Sequence, residues 1–340
     1  MANCFDPHSL PFDQYGRHRD ARAVADLIRT LEGPPRLAVL DVGGYPGLSK
    51  RFLSGDWVVI VDPTPLGADE MPGGAYLQGS GLALPFADAS FDLVLSLDSL
   101  EHVPAADRPR YLRELWRVAR RYVLLLAPFA SPETERAEAL LFEYVKVALH
   151  VEHQQLREHR DCGLPDLAAT VAAFEGTDGA SFTFPSGALD HWLPLMLLKH
   201  HLLSLDPEAS VHAALDRWYN AREDDADRQV PAYRWGILAS KAGESAVLAV
   251  ARERFAPCPP DPAAELRARQ DLQVVLSLLG LERANRGPAA LEERLSHQTR
   301  QIAALNREVE TLRAHLAAIR RGRVMRLLNA IEHLRGRDGG

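Results

Sequence analysis

Four apolar runs fix what this chain can fold into. "LAVLDV" (37–42), "WVVIVD" (57–62), "FDLVLSLD" (91–98) and "RYVLLLAPF" (121–129) are short, continuous and rich in Val, Leu and Ile. Half-buried strands alternate apolar with polar residues; strands covered on both faces do not. These runs are of the second kind, and "AYLQG" (75–79) is a weaker member of the set. Helical spacing separates them. "RHRDARAVADLIRTLEG" predicts a helix from about 17 to 32, stopped by Gly33-Pro34-Pro35. "DRPRYLRELWRVARR" puts Leu112, Leu115, Trp116 and Ala119 on one helical face. Strand and helix in alternation imply right-handed crossovers and a doubly wound, mostly parallel sheet.

The first strand runs into "DVGGYPGLSKRFL", where three glycines crowd the handover to a helix. One glycine suffices for a turn, so a ligand approaching the backbone is the better reading of the cluster. In doubly wound sheets ligands sit outside the carboxyl ends of the strands, where strand order reverses. The second strand ends in Asp62, about 20 residues past Asp41, a placement from which a carboxylate accepts bonds from ribose hydroxyls. Together these point to a nucleoside-containing ligand; the alternative is a tight turn beside a solvated aspartate. A dinucleotide needs G-x-G-x-x-G. Counting from Gly43 the pattern meets Tyr45 and Leu48, and from Gly44 it meets Pro46 and Ser49, so NAD and FAD are disfavoured.

With "VLDVGGYPG", "VVIVDP", "LPFADASFDLVLSLDSLEHVP" and "RYVLLLAPF", the chain resembles class I S-adenosylmethionine-dependent methyltransferases of type 11. The third motif is the most specific. The resemblance is clear over about 15–130 and looser over 131–255. It implies a seven-stranded Rossmann-like sheet with an antiparallel last strand, and S-adenosyl-L-methionine as cofactor. Asp41, Gly43, Gly44 and Gly47 are expected to shape the pocket for the methionine part and Asp62 to hold the ribose. Leu84 and Ser80 are expected near the adenine, and Asp98 close to the cofactor. Tyr45 replaces the glycine usual in the middle of the first motif, and Ser80 replaces an acidic residue. A neutral Ser80 holds its partner more weakly than a carboxylate does.

Methyl transfer to a hydroxyl also needs a proton acceptor. "LDSLEHVP" offers Asp98, Glu101 and His102 at the end of the fourth strand, His102 being the natural base; packing or capping the next helix is the alternative. The run "HVEHQQLREHRDC" (150–162) belongs to a helical insertion at about 131–180. Read as one helix, it puts His150 and His153 on a shared face with Glu158 two turns on. Glu143, His150, His153 and His159 are expected to line the acceptor side. A solvated face is the plainer alternative, and no metal is expected, because neither H-E-x-x-H nor paired C-x-x-C spacing occurs. "SFTFP" (181–185) and "YRWGILAS" (233–240) are candidate further strands.

Domain organisation is expected as follows: a methyltransferase domain over 1–255, a Pro-rich linker at 256–265, a helix at 266–286, a coiled coil at 287–319 and a basic amphipathic tail at 320–340. The heptad has Leu295, Ile302, Val309 and Leu316 at a, and Leu291, Gln298, Leu305, Leu312 and Ile319 at d. Branched residues at a with leucine at d favour a parallel homodimer. The arginine-rich tail suits an anionic membrane surface or a partner. A net charge of −7 gives no global field for nucleic acid. Three scattered cysteines form no disulfide framework, the first twenty residues lack an apolar signal core, and no run is long enough to span a bilayer. A cytoplasmic protein is expected, with peripheral contact at the inner membrane surface through the tail. The expected reaction is O-methylation of a sugar, surface glycan or related small acceptor. The alternatives are transfer to nitrogen or carbon, and a non-catalytic scaffold acting through the coiled coil.

Overall fold

The computed structural model describes residues 6–259 except 34, 67–74, 176–178, 206–209 and 222–224, together with Arg300, Ala303, Arg307 and Thr311. The heptad, the tail and most of the linker lie outside the described residues. A sheet of seven strands organises the unit within Met1–Pro260. The strands are β1 (Ala38–Val42), β2 (Trp57–Asp62), β3 (Ala75–Gln78), β4 (Phe91–Leu97), β5 (Ala119–Pro128), β6 (Ala180–Ala188) and β7 (Ala232–Ser240). Their order is β3-β2-β1-β4-β5-β7-β6. β1 to β5 pair in parallel, while β7 runs antiparallel to both β5 and β6. This is the doubly wound sheet that the apolar runs imply, with the seven strands and antiparallel last strand that the resemblance implies.

Continuous apolar strands need cover on both faces, and two core layers supply it. On one face α1 (Phe12–Glu32) and α9 (Ala246–Arg254) bring Val24, Ile28, Val247 and Leu248 against Val39, Ile60, Leu93 and Leu124. On the other, α3 (Arg108–Val118) and α6 (Leu167–Glu175) bring Leu115, Val118 and Phe174 against Leu40, Val94 and Val123. α1 begins five residues before the predicted start and ends at Gly33, which takes the left-handed conformation (φ +83°) and returns its N–H to the Arg29 carbonyl. α3 ends at Val118; Ala119 opens β5 instead of joining the helical face with Leu115.

Strand order reverses between β1 and β4, so the loops leaving their carboxyl ends flank one crevice. Packing of β7 against β6 leaves no room at Gly236, where a Cβ would fall 2.2 Å from the Phe184 ring. The expected outcome of Gly236→Ala is a loss of about 1–3 kcal/mol, the usual penalty for overpacking, read as a lower midpoint in denaturant unfolding. An unchanged midpoint would show that Phe184 has room to move.

Candidate functional site

The crevice is built first by the loop after β1. Gly43 takes φ +82° and its N–H donates to the Val61 carbonyl at 2.8 Å, tying the loop to β2. Gly47 takes φ +96° at the start of the short helix α2 (Leu48–Phe52) and donates to the Gly44 carbonyl at 2.6 Å. A Cβ on Gly43 would fall 2.1 Å from Ser99 Oγ, and one on Gly44 2.2 Å from Asp41 Oδ2. Both glycines are therefore close-approach positions as well as turn residues. Ser99, just past β4, donates its hydroxyl to the Val42 carbonyl at 3.2 Å, so the two loops that flank the crevice touch.

Three aspartates stand at strand ends in three different environments. Asp41 is buried, with the Ser49 hydroxyl as its one neighbouring donor among the described side chains that act on it. Burial pushes its carboxyl up to about 6. Asp62 is satisfied: Oδ2 accepts from the Tyr45 N–H at 3.1 Å and Oδ1 from the Thr64 N–H at 2.8 Å. An ionised carboxylate has about four lone-pair positions, so Asp62 retains capacity for two further donors. Its bond to Tyr45 also locks β2 to the glycine loop, a role that needs only the Tyr45 backbone. Asp98, at φ +51°, is enclosed by cations. Arg234 of β7 contacts both of its oxygens at 2.5–2.8 Å, and Arg17 of α1 pairs with Oδ2. Burial opposes ionisation of Asp98, but the two guanidinium charges outweigh it and hold the carboxyl far below its usual range.

Beyond Asp98 the chain makes a 3-10 turn, Leu100–His102, that brings Glu101 and His102 against His159 of α5 (Gln154–Cys162). The two imidazoles meet edge to face with centroids 4.8 Å apart. Glu101 is buried, its Oε2 has no partner among the described residues, and burial together with the Asp98 charge raises its carboxyl to about 8. His102 Nδ1 lies 2.9 Å from Glu158 Oε2; burial and the His159 charge lower its pKa against the opposing pull of Glu158. For His159, burial disfavours protonation, yet the bond to Glu138 of α4 (Pro132–Glu143) and the Glu101 charge outweigh it and raise the pKa.

A family profile described as a methyltransferase domain matches residues 40–126. An uncharacterized methyltransferase of Mycobacterium sp. (strain KMS) is 34% identical over 198 residues, covering 53% of this chain and 75% of that one. Another, of Mycolicibacterium gilvum, is 31% identical over 183 residues, 49% of this chain and 69% of its own. The chain belongs to the methyltransferase family. Among solved structures, the YcgJ protein from Bacillus subtilis is similar at 17% identity and a TM-score of 0.38, over 66% of this chain and all (100%) of that one. A 1,6-didemethyltoxoflavin-N1-methyltransferase from Burkholderia thailandensis, solved with S-adenosylhomocysteine, is similar at 17% identity and a TM-score of 0.29, over 35% and 57% of the two chains.

S-adenosylmethionine is the cofactor of this methyltransferase family, and the residues present fit it. The buried Asp41 carboxylate lies against the glycine cradle with acceptor capacity to spare beyond Ser49, and Gly43 and Gly44 leave no space for side chains. The structure brings Asp41, Gly43, Gly44, Gly47 and Asp62 together on the β1 side of the crevice. Leu84 is buried, its N–H anchored to Glu114 of α3 at 2.8 Å, while Ser80 is exposed and accepts from the Leu82 N–H at 3.2 Å.

Three sequence expectations need revision. Asp98 does not serve as a proton acceptor, because two guanidiniums occupy its carboxylate; its work is to hold α1 and β7 at the end of β4. The 150–162 run is not one helix. His150 is exposed at φ +56°, and His153 caps the start of α5, its Nδ1 accepting from the Leu156 N–H at 3.3 Å. The four residues expected to line the acceptor side therefore separate. Glu143 is exposed and 3.9 Å from Arg160; His153 packs against His200 of α7 (Leu189–Leu205), centroids 5.0 Å apart; His159 joins Glu101 and His102.

Arg17, Arg234, Glu138 and Tyr233 escaped the sequence reading. The signal for Arg234 was present, a charge inside the apolar run "YRWGILAS".

Asp41 gives a test with a defined sign. Its carboxyl is raised from 3.8 to about 6, so folding favours the protonated form. That contribution is complete below about pH 4 and is lost as pH rises through 6, leaving an ionisation cost of about 3 kcal/mol. Asp41→Asn, which stays neutral, is therefore expected to match the parent in stability near pH 4 and to exceed it by up to about 3 kcal/mol at pH 8. Denaturant melts across this range check it; a gain independent of pH would place the ionisation cost elsewhere.

Proposed function

We propose that this methyltransferase transfers the methyl group of S-adenosylmethionine to a hydroxyl of a sugar, surface glycan or related small acceptor. The observation that carries this reading is the Glu101–His102–His159 group, in which Glu101 and His102 directly follow Ser99, the residue that meets Gly43, and His159 joins them from α5. A carbon or amine acceptor has less need of such a group; a hydroxyl must lose a proton as it reacts.

When bound, S-adenosylmethionine supplies a methyl group already activated by its sulfonium. The protein's part is alignment and proton handling. Asp41 and the Gly43–Gly44 backbone would hold the amino-acid end, and Asp62 the ribose. His102, half-buried with its pKa lowered, is neutral at physiological pH and able to take the acceptor proton, while Glu158 lies beside it to orient the ring. His153 and His200, edge to face, offer a further polar wall on the insertion side. The heptad at 287–319 would pair two chains, and the arginines at 320–340 would bring them to an anionic membrane where lipid-linked acceptors reside.

Asp62 tests the cofactor assignment. Asp62→Ala is expected to weaken S-adenosylhomocysteine by about 1.5–3 kcal/mol in calorimetric titration, the range for hydrogen bonds to a charged group. Unchanged affinity would mean that Asp62 serves only the loop. His102 tests the chemistry. With an acceptor found by screening nucleotide sugars, lipid-linked sugars and glycan fragments against labelled cofactor, His102→Ala is expected to retain cofactor binding and lose about 10²–10⁴ in turnover. Methylation of amines but of no hydroxyl compound would contradict the acceptor class and leave the cofactor assignment standing.

A further inference from the structure

The sequence gives no metal motif, yet the fold assembles a ligand set from residues far apart in the chain. Glu101, His102 and His159 each bring one ligand atom to within 4.8 Å of the other two. Two of the three are buried, and the third, His102, is half-buried. Two imidazoles and one carboxylate are the donors that divalent transition metals of the zinc and iron type select, in contrast to the all-oxygen sets of magnesium and calcium.

The surroundings are those of a supported ligand group. His159 Nδ1 is 2.8 Å from Glu138 Oε1, and that same oxygen accepts the Tyr233 hydroxyl at 2.9 Å. With Nδ1 donating to Glu138, the lone pair of His159 lies on Nε2. A carboxylate behind a histidine in this way fixes the tautomer and ring orientation that a metal ligand requires. Glu101, 1% exposed, keeps an Oε2 with no partner among the described residues, an acceptor buried without a donor. His102 Nδ1 faces Glu158 Oε2 at 2.9 Å on the open side, which leaves its Nε2 as the free ring nitrogen. Donor atoms that converge in a buried space, with a second layer of bonds holding one of their owners, make a set that a cation can bridge.

We propose that Glu101, His102 and His159 form a binding site for one divalent transition-metal ion, with Glu138 and Tyr233 as its supporting layer and Glu158 at its open side. Three protein ligands leave coordination positions for an acceptor oxygen. The site's use in the reaction rests on the hydroxyl-acceptor reading above: a cation there would hold an acceptor hydroxyl and ease loss of its proton, which would pass to Glu158 on the open side. On this view His102 works as a ligand, and the turnover lost in His102→Ala reports the missing cation.

The test needs no acceptor. Full-length protein, stripped with chelator and dialysed, is titrated with cobalt(II) followed by its visible bands, and with zinc by calorimetry. The expected result is one equivalent bound per chain. Glu101→Gln and His102→Asn are expected to abolish the cobalt bands. Glu138→Gln, which removes only the support, is expected to weaken affinity about 10–100-fold. Glu101→Gln and Glu138→Gln keep side-chain shape, so circular dichroism of these variants secures the fold where His159→Ala would not. His150→Ala, altering an exposed histidine outside the group, is expected to leave the titration unchanged. Absence of a stoichiometric site would overturn the proposal, and so would cobalt bands that persist in both Glu101→Gln and His102→Asn. S-adenosylhomocysteine is titrated into the same samples. Cofactor bound without cobalt refutes the metal site and leaves methyl transfer intact; cobalt bound without cofactor does the reverse.

Discussion

The Asp98 carboxylate, held between Arg17 and Arg234, is the interaction on which the rest of the site depends. It joins three elements distant in sequence: α1, the end of β4 and the antiparallel strand β7. A buried anion with two cations is costly to assemble and costlier to break, because removing one partner leaves charge without solvent. The arrangement also sets direction. With Asp98 turned back to the arginines at φ +51°, the chain leaves β4 so that Ser99 meets Gly43 and the next turn presents Glu101 and His102. The Asp98 charge is in turn one of the causes, after burial, that raise the Glu101 carboxyl. One ion group thereby positions the crevice and tunes a neighbour.

The site carries groups that a purely structural interior would avoid. Asp41 is buried with only Ser49 beside it as a side-chain donor, and Glu101 keeps an oxygen without a partner among the described residues. Each lowers stability, since a buried polar atom short of hydrogen-bond partners costs about 1–3 kcal/mol. Their shared position beside one crevice gives that cost a reason, because both carboxyls, raised by burial, lie where a ligand would meet them. Asp62 shows the contrast. It too stands at a strand end, but the Tyr45 and Thr64 amides satisfy it, so it serves the loop and keeps spare capacity.

The sheet and the cofactor side were legible in the sequence because their signals are local. Apolar runs mark doubly covered strands within a few residues, and the glycine loop, Asp41 and Asp62 lie within one strand–helix–strand unit. The acceptor side was read less well because its contacts are distant. Arg17 and Arg234 stand 81 and 136 residues from Asp98, and Glu138 reaches Tyr233 across 95. No spacing rule links such pairs, so the sequence places Asp98 with the catalytic and cofactor-side residues and gives no sign that it anchors an ion group. The 150–162 run differs: its spacing is compatible with one helix across His150 and His153, but the helix starts only at Gln154, capped by His153 itself. The heptad signal beyond the linker is a statement of sequence alone.

The central claim is that the crevice between the β1 and β4 loops is the cofactor site. A crystal structure of the protein grown with saturating S-adenosylhomocysteine tests it most directly. The account requires density there, with the amino-acid end against Asp41 and the Gly43–Gly44 backbone and the ribose hydroxyls on Asp62. Density at another place on the sheet, or a crevice closed over Asp41 with the ligand absent, would contradict it.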